Sequence, residues 1–297
     1  MANLKEVRER IKSVKNTQQI TKAMKMVSAS KLRRAQMAIT QMRPYADKLD
    51  AMLKNILSNL EGDANTSFGD ERSVESACVV VVTSNKGLCG AFNTNVIKAA
   101  VATINEKYAA QKAAGKLTIL PIGKKGFAYF KKRYTDCTII EDHVMLFEDL
   151  SFDNVGQVSQ QLMDAFAGKT YDSVHVAYGR FRNAAVQYPE CVQFLPVEKL
   201  ETTGGNDSKH KADYIFEPSK EILLQQLIPS ILQTQFQKFL LDTHASEHGA
   251  RMTAMDAATE NAEELVKELK ISYNKARQEA ITKELSEIVG GAAALEG

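Results

Sequence analysis

The chain has few residues that interrupt a helix, and they are scarcest at its two ends. No glycine precedes Gly62, no proline precedes Pro44, and between residues 219 and 289 the only breakers are Pro229 and Gly249. Cysteine is also scarce. Cys78, Cys89, Cys137 and Cys191 form no CxxC pair and no metal-ligand spacing, so reduced, buried thiols are expected rather than a disulfide framework or a zinc site. No apolar run approaches the roughly 18 residues of a membrane span; residues 222–232 come closest and are broken by Gln225, Gln226 and Pro229. The opening MANLKEVRER carries charge where an export signal needs an apolar core, and no export is expected. Catalytic patterns are missing too. Neither GxGxxG nor GxxxxGK[ST] occurs, and no nucleophile–base constellation or paired carboxylate stands out. No catalytic residue, cofactor or metal is therefore assigned.

Long uninterrupted helices fill the ends. Residues 1–60 and 217–297 each read as one helix, the first with a possible bend at Pro44 and the second started by Pro218. About 70 residues at 1.5 Å rise make the second near 100 Å long. A helix of that length is unstable alone, because most helical stability comes from burying an apolar face. The first helix offers a seam: Leu4, Val7, Ile11 and Val14 recur at 3, 4, 3 spacing and Leu49, Leu53, Ile56 and Leu60 at 4, 3, 4. Its middle is smaller in texture, with Ala23, Ser28, Ala29, Ser30, Ala35 and Ala38, and is expected to face the small middle of the second helix, Ala245 to Ala262.

Between the ends the pattern changes. A polar linker, residues 61–76, leads to an α/β domain, residues 77–199, and residues 200–213 form a second linker. Strands are predicted at 77–83, 116–122, 136–140, 173–178 and 190–195. Helices fall at about 94–110, after GKKG, and at 154–167. Strands alternating with helices give a doubly wound, mostly parallel sheet, closed by a hairpin around 180–185. The fold class is thus an antiparallel coiled coil of long N- and C-terminal helices with an inserted doubly wound, Rossmann-like α/β domain. Counting outward from the insertion, facing residues should have numbers summing to about 277, and the second helix should project alone beyond roughly residue 273. There Ile281, Leu285, Ile288 and Val289 would expose apolar surface that needs a partner.

Three local features suggest chemistry. The SNKGLCGAFN turn could cradle an anion at a helix start, but it matches no phosphate-loop pattern and a tight structural turn is the plainer reading. His244, Glu247 and His248 form HxxEH, which resembles an inverted zinc-protease motif; a two-helix rod lacks the cleft, and solvent-facing or interface histidines are the plainer expectation. Residues 5–34 hold ten Lys/Arg against Glu6 and Glu9, a local +8 in a chain of net +2. With no aromatic before Tyr45 and one face committed to pairing, that run fits an acidic protein partner better than nucleic acid. The other readings are a basic coiled-coil nucleic-acid binder and an α/β-domain enzyme.

The residues then match something specific. IKSVKNTQQITKAMKMVSASKLRRAQ (11–36), RPYADKL (43–49), TSNKGLCGAFN (83–93), IGKKG (122–126), KHKADYIFEP (209–218) and the block at 245–295 ending ITKELSEIVGGAAAL resemble the gamma subunit of bacterial-type F-type ATP synthases, end to end. The resemblance implies a non-catalytic central rotor stalk, catalysis lying on beta subunits. Its partners would be the alpha and beta subunits of the head, the epsilon subunit and the ring of c subunits, with no nucleic acid and with membrane association only through the complex, at the cytoplasmic face of the cell inner membrane. By position, the resemblance implies contacts with the alpha/beta hexamer at Met24, Arg251, Arg277, Gln278, Leu285 and Ile288, and with the c ring at Tyr214 and Glu217.

Overall fold

A computed structural model describes residues 4–58, 68–69, 72–197 and 220–296. The chain divides into two compact units, residues 29–251 and residues 1–28 with 252–297. Two helices belong to both: α1 (Leu4–Ser58) runs through Pro44, and α6 (Lys220–Glu296) runs through Pro229 and Gly249. Leu53, Ile56 and Leu60 of the expected seam lie outside the described side chains.

In the larger unit, β1 (Ala77–Val82), β2 (Leu117–Ile122), β3 (Thr138–Ile139), β4 (Ser173–Phe181) and β5 (Gln187–Leu195) form one sheet in the order β3-β2-β1-β4-β5. All pairings are parallel except β4 with β5. The crossovers are α2 (Phe92–Lys107) with the short α3 (Ala109–Ala113), α4 (Lys124–Arg133) and α5 (Phe152–Ala167), the last preceded by a 3₁₀ turn, Leu146–Glu148. As the central strand, β1 is covered on both faces, which is why it reads as a continuous apolar run without alternation. Cys78, Val80 and Val82 pack with α5 and with Ile228, Leu232, Phe236 and Leu240 of α6. Ala77, Val79 and Val81 pack with Phe92, Val96, Ile104 and Phe130 of α2 and α4.

Several boundaries differ from those predicted. Helix α2 starts at Phe92 and stops at Lys107, because Tyr108 turns inward, is buried, and leaves the helix at φ −125°. Strand β4 extends through Arg180 and Phe181, since the hairpin continues to pair as far as Phe181 with Gln187. A hydrogen-bond chain ties α2 to this hairpin. Lys107 Nζ can only donate, so His175 Nε2 accepts (3.2 Å) and Nδ1–H donates to Tyr108 Oη (2.7 Å). The Tyr108 hydroxyl then donates to Ser173 Oγ (2.7 Å), which donates to the Leu195 carbonyl (3.4 Å). His175 is thus neutral, and burial lowers its pKa to about 4.

The smaller unit has only two helical stretches, so each is buried by the other. On α1 the covered positions are Leu4, Val7, Ile11, Val14, Gln18, Thr21, Met24, Lys25 and Ser28, and on α6 Met252, Ala254, Met255, Asp256, Ala258, Thr259, Ala262, Leu265, Val266, Leu269, Tyr273, Ala276 and Ala280. Within each set one run alternates 3 and 4, from Leu4 through Val7, Ile11 and Val14 on α1 and from Met255 through Thr259, Ala262 and Val266 on α6, the seam of an antiparallel coiled coil. Ala23 is exposed, and so is Ser30 in the larger unit, while Ala254 and Ala258 of α6 are half-covered; the seam combines heptad positions, polar side chains among them, with part of the expected small stretch. Thr21 Oγ1 meets Thr259 Oγ1 at 2.8 Å and Lys25 pairs with Asp256. Facing numbers therefore add to 280 and 281, about one turn from the expected 277. Coverage on α6 reaches Ala280 and does not end near 273, and residues 281–292 are all exposed.

Candidate partner-contact surfaces and the Arg251 cluster

The strongest concentration of buried charge lies where α6 passes the loop after β1. That loop closes on itself. Ser84 N–H donates to Asn93 Oδ1 (2.9 Å), Asn93 Nδ2 donates to Ser84 Oγ (2.8 Å), and Ser84 Oγ–H donates to the Lys86 carbonyl (2.6 Å). Leu88 (φ 63°) and Gly90 (φ 57°) make the left-handed bends, and Leu88 stands 65% exposed at the tip. The loop is a self-bonded structural turn, as the plainer of the two sequence readings had it. Beside it, Gly123 at φ 103° is obligatory, because a Cβ there would meet the Thr83 carbonyl oxygen at 2.0 Å.

Arg251 holds this loop from α6. Its Nη2 donates to the Lys86 carbonyl (2.9 Å) and its Nε to the Gly87 carbonyl (3.3 Å), while Nη2 also pairs with Glu247 Oε1 at 2.7 Å. Both side chains are under a tenth exposed. Burial raises the Glu247 carboxyl above its ordinary value, and the adjacent guanidinium offsets that only in part; the 2.7 Å contact is that of a charge-assisted hydrogen bond. Helix and strand approach closely here. A Cβ on Gly179 of β4 would lie 2.6 Å from the Phe92 ring, and Ser246 Oγ donates to the Gly179 carbonyl at 2.9 Å.

The HxxEH histidines are buried or half-buried in this cluster, the interface alternative of the sequence reading and not the solvent-facing one. Arg251 Nη1 sits 3.2 Å from His248 Nδ1, and a guanidinium cannot accept, so Nδ1 does and the proton is on Nε2. Nε2–H donates to His244 Nε2 (3.1 Å), and His244 stacks on Phe147. This tautomer leaves His248 Nε2 without a lone pair for a metal, and Lys31 and Arg251 add positive charge nearby, so the motif does not suit zinc. Burial first, then neighbouring positive charge, lowers His244 to about 4; burial, then His244, then those cations, lowers His248 to about 3.

The other residues singled out in the sequence are scattered. Met24 is half-buried, Arg277 and Gln278 are exposed, and Leu285 and Ile288 are 62% and 69% exposed. Tyr214 and Glu217 lie outside the described residues. Arg251 and the 86–88 loop share a cluster within the larger unit, whereas Arg277, Gln278, Leu285 and Ile288 are all on the smaller. Of the basic run, Arg8, Arg10, Lys12, Lys15 and Lys22 are exposed and Lys25 is paired. Sequence reasoning missed the support of the loop by Arg251 and a second basic stretch, residues 107–135, which a running charge count would have found.

A family model described as ATP synthase matches residues 3–295. The chain is 51% identical over 295 residues to an ATP synthase gamma chain from Cytophaga hutchinsonii, covering 99% of both, and 43% identical to that of Chlorobium luteolum over the full length of both. The chain belongs to the ATP synthase gamma chain family. Gamma chains are stalk subunits and not the catalytic chain of the complex. Among solved structures, the chain resembles one of Euglena gracilis mitochondrial ATP synthase, OSCP/F1/c-ring, with TM-score 0.65 and 24% identity, covering 98% of this chain and 94% of that one. A second, from the Tetrahymena thermophila mitochondrial ATP synthase central stalk and c ring, gives TM-score 0.54 at 22% identity, over 80% of this chain and 99% of that one. These two establish the likeness of fold. Among the described residues no helix is long and apolar enough to cross a membrane.

Proposed function

We propose that the chain is the central rotor stalk of a proton-translocating F-type ATP synthase, coupling rotation of a c-subunit ring to ATP synthesis or hydrolysis on beta subunits. The observation that carries it is the end of burial on α6. Coverage stops at Ala280, yet the helix continues to Glu296 with Ile281, Leu285, Ile288 and Val289 between 57% and 69% exposed. Exposed apolar side chains on a bare helix call for a sleeve to enter, and a hexamer of alpha and beta subunits supplies one. A single asymmetric shaft cannot contact three equivalent neighbours alike, so its rotation shifts which site favours each bound state.

In this reading residues 1–60 and 217–297 are the shaft and 77–199 the foot, with Tyr214 and Glu217 on the c ring and the epsilon subunit beside it. Leu285 and Ile288 enter the sleeve, and Arg277 and Gln278 give polar contacts to the head. Met24 and Arg251 mark the level of an acidic beta segment, where buried Arg251 acts by supporting the 86–88 loop. The complex is membrane-associated, and the chain is peripheral at the cytoplasmic face of the inner membrane. The double variant Arg277→Ala, Gln278→Ala should leave the chain folded and lower ATP turnover of the assembled head about tenfold, the loss of one or two charge-assisted hydrogen bonds. Unchanged turnover in a fully assembled complex counts against these contacts.

A further inference from the structure

Between Lys107 and Thr135 the sequence holds seven lysines, one arginine and no acidic residue, a local +8 in a chain whose total is +2. Helix α4 gathers four of these on one side. Lys124 and Lys125 recur seven residues later as Lys131 and Lys132, two turns along the helix, and all four are exposed with only exposed Ala128 between them. The opposite side buries Gly126 and Phe130, so the stripe faces outward. Of the four, only Lys131 has an acidic partner among the described residues, Glu141 at 2.8 Å.

A structural role accounts for part of this charge. Cations in the last turn complement the negative end of the helix dipole, which covers Lys131, Lys132 and Arg133. Lys124 and Lys125 are in the first turn, where the dipole opposes them, and that turn holds no acidic residue to offset the cost. The chemistry of the stripe indicates its partner. Lysine is a mobile point charge without the planar fork that reads a shaped carboxylate or phosphate, so this set suits a diffuse anionic plane. The aromatics beside it, Phe127 and Tyr129, are half-buried and lie under the cations of Lys131 (4.9 Å) and Arg133 (4.4 Å), so charge forms its outermost layer. We infer that the outer face of α4 docks on the anionic headgroups of a phospholipid bilayer, held by charge alone. Such clusters on a helix contribute additively and fade with salt. The inference does not depend on the shaft reading, because α4 is part of neither terminal helix.

The test uses the full chain and vesicles of phosphatidylglycerol and phosphatidylcholine in equal parts, against phosphatidylcholine alone, by co-sedimentation. Binding should appear only with the anionic vesicles and disappear on adding salt. Lys124, Lys125, Lys131 and Lys132 all changed to Gln should weaken it at least about tenfold, while the four changed to Arg should retain it. Changing Lys5, Lys12, Lys15 and Lys22 to Gln should have the smaller effect. Equal binding to neutral vesicles would assign the affinity to the exposed apolar end of α6 and overturn the inference. A larger loss from the α1 set, or binding of poly-glutamate or DNA in place of the vesicles, would overturn it as well.

Discussion

The two units are stabilised in different ways. In the larger one the strands of the sheet centre are at or near 0% exposure, aromatic pairs such as Phe194 and Phe236 fill the space under α6, and buried polar groups are joined into chains. The smaller one has a single seam in which Val7, Thr21, Ser28, Met255, Ala262 and Val266 fall below a tenth exposed and most other seam residues are half-covered. A three-layer core spreads the loss of one side chain over many neighbours and leaves a costly cavity. A two-helix seam is narrow, and each position has one partner across it.

The largest effect should come from the sheet face. Phe236 is fully buried and packs on Phe194 at a ring separation of 5.5 Å. Phe236→Ala should cost about 3–5 kcal/mol, transfer plus cavity, while Val14→Ala in the half-covered seam should cost about 1 kcal/mol. Chemical denaturation followed by circular dichroism would compare them; equal losses would remove the distinction.

Arg251 comes next. Truncating it leaves Glu247 buried without its counter-charge and two loop carbonyls without donors, a loss of about 3–5 kcal/mol. Hydrogen exchange should also rise at the amides of residues 86–90, which a general loss of stability would not single out. Glu247→Met with Arg251→Met should be less destabilising than Arg251→Ala, because no charge is stranded.

A smaller effect is tied to pH. His175, His244 and His248 are neutral when folded, with pKa lowered from 6.5 to about 4, 4 and 3. Above 6.5 both folded and unfolded states leave them neutral, and their contribution is fully present. As pH falls below 6.5 the unfolded chain takes up protons that the folded one refuses, so stability drops until the folded values near 4 and 3 are passed. His248→Asn, whose side-chain oxygen can still accept from Arg251, should flatten part of that slope between pH 6.5 and 4. An unchanged slope would show that His248 is not held neutral.

These cases show what the sequence made legible. The alternation of strands with helices, the closing hairpin and both helical ends followed from period, apolar run length and breakers, all local properties; the order of the strands in the sheet is set by pairings between distant segments and did not. The Arg251 cluster did not, because its acceptors, Lys86 and Gly87, lie 165 and 164 positions away and nothing local marks a buried arginine. HxxEH could be read as solvent-facing or as an interface because two histidines and a glutamate are polar; the loop's backbone carbonyls and Phe147 make that side of α6 an interior. The seam was located but its register was misjudged by about a turn, since helix ends were counted whereas Thr21, Lys25 and their partners determine it.

That register gives the smallest expected effect on stability and the sharpest test of the shaft. Lys25 and Asp256 are 40% and 45% exposed, so their pairing should couple by only about 0.2–1 kcal/mol in a double-mutant cycle and weaken with salt. Its geometric content is larger. The hydroxyls of Thr21 and Thr259 are 2.8 Å apart, so the two side chains face each other directly across the seam. With the four native cysteines replaced, Thr21→Cys with Thr259→Cys should cross-link on oxidation. Thr21→Cys with Asp256→Cys, the pairing that a sum of 277 requires, should cross-link far less, because three residues along α6 turn the side chain away and shift it about 4.5 Å. Preferential bridging of the second pair would return the register to the value counted from the helix ends. It would also move the end of coverage back toward residue 276, enlarging the bare segment that the head must receive.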